Sequence, residues 1–293
     1  MTVTTSDGIA LAVSTTGNGS ALVFVHEFSG TARSWDAQVG YFSRYYTCIT
    51  YCARGYPPSN IPSAVSSYSQ ERAADDLADV IRAACGGPAH VAGLSMGGFA
   101  ALHLGLRHPD LVRSLTIAAV GYGAKPEQQP AYGDAMRAEA DHAERVGMAV
   151  FSRELAGSGY AQCLRAKDAN GWHQFATLLR ENSAAGMAMT LRAVLATRPS
   201  LWHLAGLRQL KIPVLLVIGD EDQPCIEPNI YLKSTLPDAA LCVLPRTSHL
   251  LNLEEPALFN SILFSFLAAV EQGRWRTWRG TDRHILNQMG DDS

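Results

Sequence analysis

One hexapeptide constrains this chain more than any other segment: Gly93-Leu94-Ser95-Met96-Gly97-Gly98. It follows the apolar run Ala89-His90-Val91-Ala92 and opens a helical pattern that runs from Phe99 to His108. A strand that turns at once into a helix holds the central serine on a sharp, strained bend with its hydroxyl exposed. Small residues two positions to either side let strand and helix pass close together. The helix start leaves N–H groups without intrahelical partners, and these favour a developing negative charge. The segment predicts a nucleophile elbow and an α/β architecture around it.

The rest of the chain agrees with a large soluble domain. Its 293 residues are 47% hydrophobic and 17% charged, enough for one extensive core with an inserted lid. Twenty-seven acidic residues against 24 basic ones leave a net charge of −3, so no basic face for nucleic acid or anionic membrane is signalled. The 6 cysteines, Cys48, Cys52, Cys85, Cys163, Cys225 and Cys242, form no CxxC pair and no His/Cys metal spacing, and they read as free thiols. No metal or other cofactor is implied. The first residues carry neither a basic region nor an apolar signal core, and no apolar run reaches membrane-spanning length. The expectation is a cytoplasmic protein with a small-molecule substrate and no nucleic-acid or membrane partner; the sequence allows a homodimer.

Apolar runs alternate with helical patterns along most of the chain. Thr2 to Thr5 and Ile9 to Ser14 flank Asp7-Gly8 as an edge hairpin. The runs Ala21–His26, Thr47–Cys52, His90–Leu94, Leu115–Val120, Val214–Gly219 and Leu241–Leu244 are apolar throughout, as strands covered on both faces should be. Helices are expected near 35–45, 69–85, 96–108, 228–236 and 255–271. Together these give a mostly parallel eight-stranded sheet with helices on both faces. From Gly121 to about Leu207 no strand pattern occurs, while apolar stripes of helical period do. The predicted organisation is a core of residues 1–120 and 208–272, a helical lid of 121–207, and a tail of 273–293 that carries Trp275, Trp278 and four arginines.

A serine hydroxyl is a weak nucleophile. It needs an imidazole to take its proton and a carboxylate to orient the ring. The strand Val214–Gly219 ends in Asp220-Glu221-Asp222, at the sheet edge where open α/β sheets bind ligands. His249 follows the last strand and precedes the last helix. The order serine, acid, histidine is the one this architecture uses.

On these residues the chain resembles the α/β-hydrolase superfamily over about residues 3–271, most closely its lidded small-molecule hydrolases: esterases, enol-lactonases, carbon–carbon hydrolases and epoxide hydrolases. The motifs matched are Gly93–Gly98, the Gly219–Asp222 turn, His249 with Glu254-Glu255-Pro256 behind it, and Arg54-Gly55-Tyr56. The resemblance places the acid three residues after the strand-ending glycine, selecting Asp222 over Asp220. It makes the backbone N–H groups of Phe28 and Met96 the oxyanion hole. Serine rather than aspartate at 95 argues against epoxide and haloalkane hydrolysis. The implied activity is hydrolysis of a small or medium ester or lactone through an acyl-enzyme. Carbon–carbon hydrolysis of a ring-cleavage product is the alternative, and a non-catalytic binding protein is the rival from another class.

One departure stands out. Where the family has His-Gly, this chain has His26-Glu27-Phe28. An unpaired carboxylate about 6 Å from a developing oxyanion would oppose it by about 3 kcal/mol at an effective dielectric near 20. Glu27 must therefore pair with a cation, stay protonated, or face the substrate. Arg54, on the neighbouring loop, is the expected partner, and Glu27 is also a candidate for orienting water or a polar substrate group. His26 is expected to be structural. Trp172, in the lid, is the candidate aromatic for the substrate pocket.

Overall fold

The computed structural model describes residues 1–275. Eight strands form one sheet: β1 (Thr2–Thr4), β2 (Ala10–Thr16), β3 (Ser20–Val25), β4 (Tyr46–Tyr51), β5 (Ala89–Leu94), β6 (Val112–Ala118), β7 (Val214–Gly219) and β8 (Ala239–Leu244). The helices are α1 (Asp36–Phe42), α2 (Gln70–Ala84), α3 (Met96–Arg107), α4 (Gln129–Val146), α5 (Met148–Gly157), α6 (Gln162–Lys167), α7 (Ala169–Arg180), α8 (Ala184–Thr190), α9 (Gln223–Thr235), α10 (Leu251–Glu254) and α11 (Pro256–Glu271).

The spatial order is β1-β2-β4-β3-β5-β6-β7-β8, with β1 and β2 antiparallel and all pairs from β4 to β8 parallel. The chain leaves β3 to one side for β4 and returns to its other side for β5. Such a switch opens a crevice beyond the carboxyl ends of the two central strands. Ser95 follows β5 and Glu27-Phe28 follow β3, so the topology delivers both to that crevice.

Burial explains why these strands read as unbroken apolar runs. Every residue of β5 and β7 is buried, because helices cover both faces. β8 differs: it begins at Ala239 and is only partly buried, since it forms the free edge. Helix α9 starts earlier than the pattern near 228 suggests, at Gln223, with Pro224 in its first turn and Pro228 inside. Proline is tolerated in a first turn, where its missing N–H has no carbonyl to bond.

No strand lies between Ala118 and Val214; α4 to α8 and short helical turns occupy this interval. Asp168 caps α7 and Ser183 caps α8 through their side chains. The helical insertion meets the core at Gly186 of α8, which sits so tightly on the Gly55 carbonyl that a β-carbon there would overlap it. Asn182 adds a hydrogen bond from Nδ2 to the Gly30 carbonyl at 3.4 Å, and Lys167 of α6 pairs with Glu255 at 2.5 Å. No helix among the described residues is long and apolar enough to cross a membrane. The six cysteines are all unpaired. Trp275 closes the described chain with its ring against Phe266, centroids 4.6 Å apart; the expected tail from residue 276 onward lies outside the described residues.

Because the Gly55 carbonyl is backbone, it has little room to yield. Gly186→Ala should lower stability by about 1–3 kcal/mol, as overpacking does, and the loss should appear in the midpoint of urea unfolding. An unchanged midpoint would mean that the insertion is not seated at this contact.

Candidate active site

Ser95 occupies the bend between β5 and α3 with φ 53° and ψ −112°, a left-handed conformation that L-residues rarely adopt. The surrounding packing imposes it. A β-carbon at Gly93 would strike the carbonyl of Gly97, and one at Gly97 would strike the carbonyl of Val25 in β3. The Ser95 N–H is tied to the Ala118 carbonyl at 2.7 Å. Strain of this kind costs about 1–3 kcal/mol and survives only when neighbours over-determine it. Here it leaves Ser95 half-buried at the crevice while Met96 and Gly97 are buried.

His249 and Asp222 meet. His249 Nδ1 lies 2.7 Å from Asp222 Oδ2, and both residues are buried. Asp220 is used differently: its Oδ1 accepts the Thr247 N–H at 3.1 Å and stitches the acid loop to the histidine loop. Burial acts to raise the Asp222 carboxyl, but the adjoining imidazole, helped by the Cys225 thiol and the Tyr122 phenol, outweighs it and keeps the acid below its usual range. Oδ1 of Asp222 has no partner of good hydrogen-bond geometry. His249 Nε2 has no protein partner either, and it is not sealed from solvent.

Further groups hold this pair; Glu254 and Tyr56 belong to motifs matched in the sequence, whereas Tyr122 and Tyr160 carried no readable signal. Glu254 accepts the N–H groups of Ser248 at 2.7 Å and Leu250 at 3.0 Å, clamping the backbone on both sides of His249. The rings of Tyr122 and Tyr160 stand 5.0 and 5.1 Å from the His249 ring. Tyr160 comes from the insertion, and its hydroxyl lies 2.9 Å from the Ser29 hydroxyl in the core. Tyr56 links the expected oxyanion donors: its hydroxyl donates to the Phe28 carbonyl at 2.9 Å and lies 3.9 Å from Met96 Sδ. The Phe28 N–H donates to no other backbone carbonyl among the described residues. The Met96 N–H is the first of α3 and lacks an intrahelical acceptor.

His26 is structural. Its Nδ1–H donates to the Glu27 carbonyl at 2.7 Å and its Nε2 accepts the Ala53 N–H at 3.0 Å, tying the loops after β3 and β4. Burial pushes its pKa down to about 4, so the ring is neutral.

The expected Arg54–Glu27 pair does not form. Arg54 directs Nε and Nη2 onto the two oxygens of Asp76, each at 2.8 Å, with a second contact from Nη2 to Asp7 at 2.8 Å and Nη1 on the Ser67 carbonyl at 2.7 Å. The planar fork fits a single carboxylate bidentately, and Asp76 offers that geometry from α2. Glu27 is instead fully buried with one donor, Ser34 Oγ at 3.1 Å from Oε1, while Oε2 has no partner. Burial pushes its pKa up to about 7.

Trp172 is held within the insertion. Its indole N–H donates to the Ala156 carbonyl at 2.9 Å and Arg165 covers its ring at 4.9 Å. These contacts do not bring it to Ser95. Its neighbour His173 lines a groove of about 510 Å³ between insertion and core, together with Ser34, Leu164, Phe175 and Leu253.

Asp222, Cys225 and His249 place potential metal-ligand atoms within 4.8 Å of one another. The Cys225 thiol is pushed well above its ordinary range by burial and by Asp222, and the His249 Nδ1 is engaged by Asp222. A metal would need the thiolate, so this set fits a hydrogen-bonded pair with a thiol beside it.

The family model described as "Alpha/beta hydrolase family" matches residues 22–262. The chain belongs to this family. It is similar to the 3-oxoadipate enol-lactonase 1 of Acinetobacter baylyi, with 26% identity over 272 residues covering 92% of this chain and 97% of that one. It is also similar to the 2-(acetamidomethylene)succinate hydrolase of Mesorhizobium japonicum, 26% identical over 268 residues, covering 89% and 92%. Among solved structures, a hydrolase from Pseudomonas aeruginosa PA01 superposes with a TM-score of 0.80 at 26% identity, covering 92% of this chain and 98% of that one. This alpha/beta hydrolase is therefore a hydrolytic enzyme.

The Glu27 environment makes stability depend on pH in a definite direction. A carboxyl raised from 4.5 to about 7 in the folded state binds a proton more tightly there than in the unfolded chain. Its contribution is complete below pH 4.5 and is lost as pH rises toward 7. Unfolding free energies of wild type and Glu27→Gln should diverge by about 3 kcal/mol between pH 4 and pH 8, wild type losing more. Parallel curves would show that Glu27 is ionised in the folded protein.

Proposed function

We propose that this enzyme is a serine hydrolase of small or medium esters or lactones, acting through an acyl-enzyme. The observation that carries the reading is the Asp222–His249 hydrogen bond of 2.7 Å; Ser95 stands on a strained elbow at the carboxyl end of β5 in the same sheet. A lactonase of similar sequence supports the class of bond.

In this reading Ser95 Oγ attacks the carbonyl carbon while His249 Nε2 takes the hydroxyl proton. Asp222 fixes the tautomer with the proton on Nδ1 and stabilises the imidazolium. The carbonyl oxygen becomes an oxyanion held by the Phe28 and Met96 N–H groups, each worth about 3 kcal/mol in typical sites. The imidazolium returns its proton to the leaving alkoxide, and for a lactone the leaving group stays attached to the acyl chain. Water then repeats the sequence against the acyl-enzyme, with His249 again as base. Glu27, bonded to Ser34 and with its pKa pushed up to about 7, carries no charge against the oxyanion below that pH and opposes it increasingly as pH rises above 7. The groove lined by His173, Phe175 and Ser34 is the proposed approach for substrate, and Tyr160 closes over the imidazole from the lid.

Hydrolysis of p-nitrophenyl acetate tests this. Ser95→Ala and His249→Ala should each lose about 10⁴-fold or more in kcat, and Asp222→Asn about 10⁴-fold. Turnover that survives in Ser95→Ala would assign the chemistry to another group.

A further inference from the structure

Arg198 is the one strongly buried cation in the described structure for which no anion is found. It lies in the segment that returns the insertion to the core, and its backbone is fixed: the Arg198 carbonyl accepts Gln129 Nε2 at 2.7 Å, and the Ser200 hydroxyl donates to the Ala124 carbonyl at 2.7 Å. The residue is 5% exposed. Its guanidinium stacks on Phe99, with the central carbon 3.7 Å from the ring centroid. Nη1 donates to the Tyr122 carbonyl at 3.2 Å, and the buried Nε finds no acceptor. The ionisable groups that bear on it are Tyr132, Cys225 and His103; burial keeps the first two protonated and pushes the imidazole down to about 4, so that none of them is an anion. Arg54, by contrast, is equally buried but carries two carboxylates.

A guanidinium taken out of water is stable when a matching anion and its hydrogen bonds replace the hydration it lost. Its planar fork fits a carboxylate better than any other common partner. The position of Arg198 ties it to the active site through two residues. Phe99, under the guanidinium, lies four positions after Ser95 on α3, about 6 Å along the helix axis. Tyr122, whose carbonyl holds Nη1, sets its ring against His249 at 5.0 Å.

We propose that Arg198 binds a carboxylate of the substrate, so that the enzyme acts on esters or lactones whose acyl portion ends in a carboxylate a few carbons from the reacting carbonyl. This rests on the serine-hydrolase reading above and adds the charge of the substrate to it. The bound carboxylate replaces the missing anion on the guanidinium and holds the acyl chain between it and Ser95. A neutral chain of the same length leaves the cation as it is and gains nothing from it.

The test compares mono-p-nitrophenyl adipate with p-nitrophenyl hexanoate, which share a six-carbon acyl chain and differ in the terminal carboxylate. Wild type should prefer the charged ester at least tenfold in kcat/KM, mainly through KM, with a preference that shrinks as salt rises. In Arg198→Met that preference should collapse at least tenfold, and Arg198→Lys should restore part of it. Fluorophosphonate labelling of Ser95 in Arg198→Met separates the two readings: a labelled protein with a collapsed preference supports the carboxylate site, and a labelled protein with the wild-type preference overturns it while leaving the nucleophile in place. Equal rates for the two esters in wild type would also overturn it. Should Arg198→Met fail to fold, inhibition of wild type decides: adipate competing at least tenfold more tightly than adipamide supports the site, and equal inhibition rejects it.

Discussion

The hydrogen bond between His249 and Asp222 is the interaction on which the site depends, and much of the carboxyl end of the sheet is arranged to keep it. Asp222 leaves β7 at the start of α9, and His249 leaves β8 before α10. The two loops are joined by Asp220 on the Thr247 N–H and by the Glu221 N–H on the Thr247 carbonyl. Glu254 then fixes the peptide groups flanking the histidine. A ring held from one nitrogen and from both sides of its backbone loses little entropy when it takes a proton, which is what preorganisation requires.

The elbow supplies the other half. Its strain at Ser95 is compensated by the close packing of β3, β5 and α3, which exists because positions 93 and 97 have no side chains. The same closeness brings the loop after β3 up to the start of α3, where Tyr56 links Phe28 to Met96. Burial of Glu27 fits this picture. Loss of water raises this carboxyl toward neutrality, with its pKa pushed up to about 7, and Ser34 occupies one oxygen.

Much of this was legible in the sequence, for physical reasons. Strands covered on both faces need apolar residues at every position, so Val214–Gly219 could be delimited to the residue. The serine, the acidic loop and the histidine stand beside strand ends, where the pattern of apolar runs locates them; the choice of Asp222 over Asp220 came from the family resemblance. What failed were questions of partner choice in three dimensions. Arg54 had three acids within plausible reach, and only the placement of α2 shows that Asp76 meets its fork. Trp172 is an aromatic of the insertion whose indole N–H bonds the neighbouring helix, a partner that no apolar stripe foretells. Tyr160 and Tyr122 gave no signal, since each reaches His249 through loop geometry. Arg198 could be seen as a charge but not as a buried one, and the absence of an anion near it is a property of the packed structure.

The most direct test of the central claim is covalent labelling of the native enzyme with a fluorophosphonate, followed by peptide mass mapping. The account predicts one adduct per chain, on the peptide carrying Ser95, formed rapidly in wild type and lost when His249 is replaced by alanine. An unlabelled native protein, an adduct elsewhere, or labelling at full rate without the histidine would contradict it.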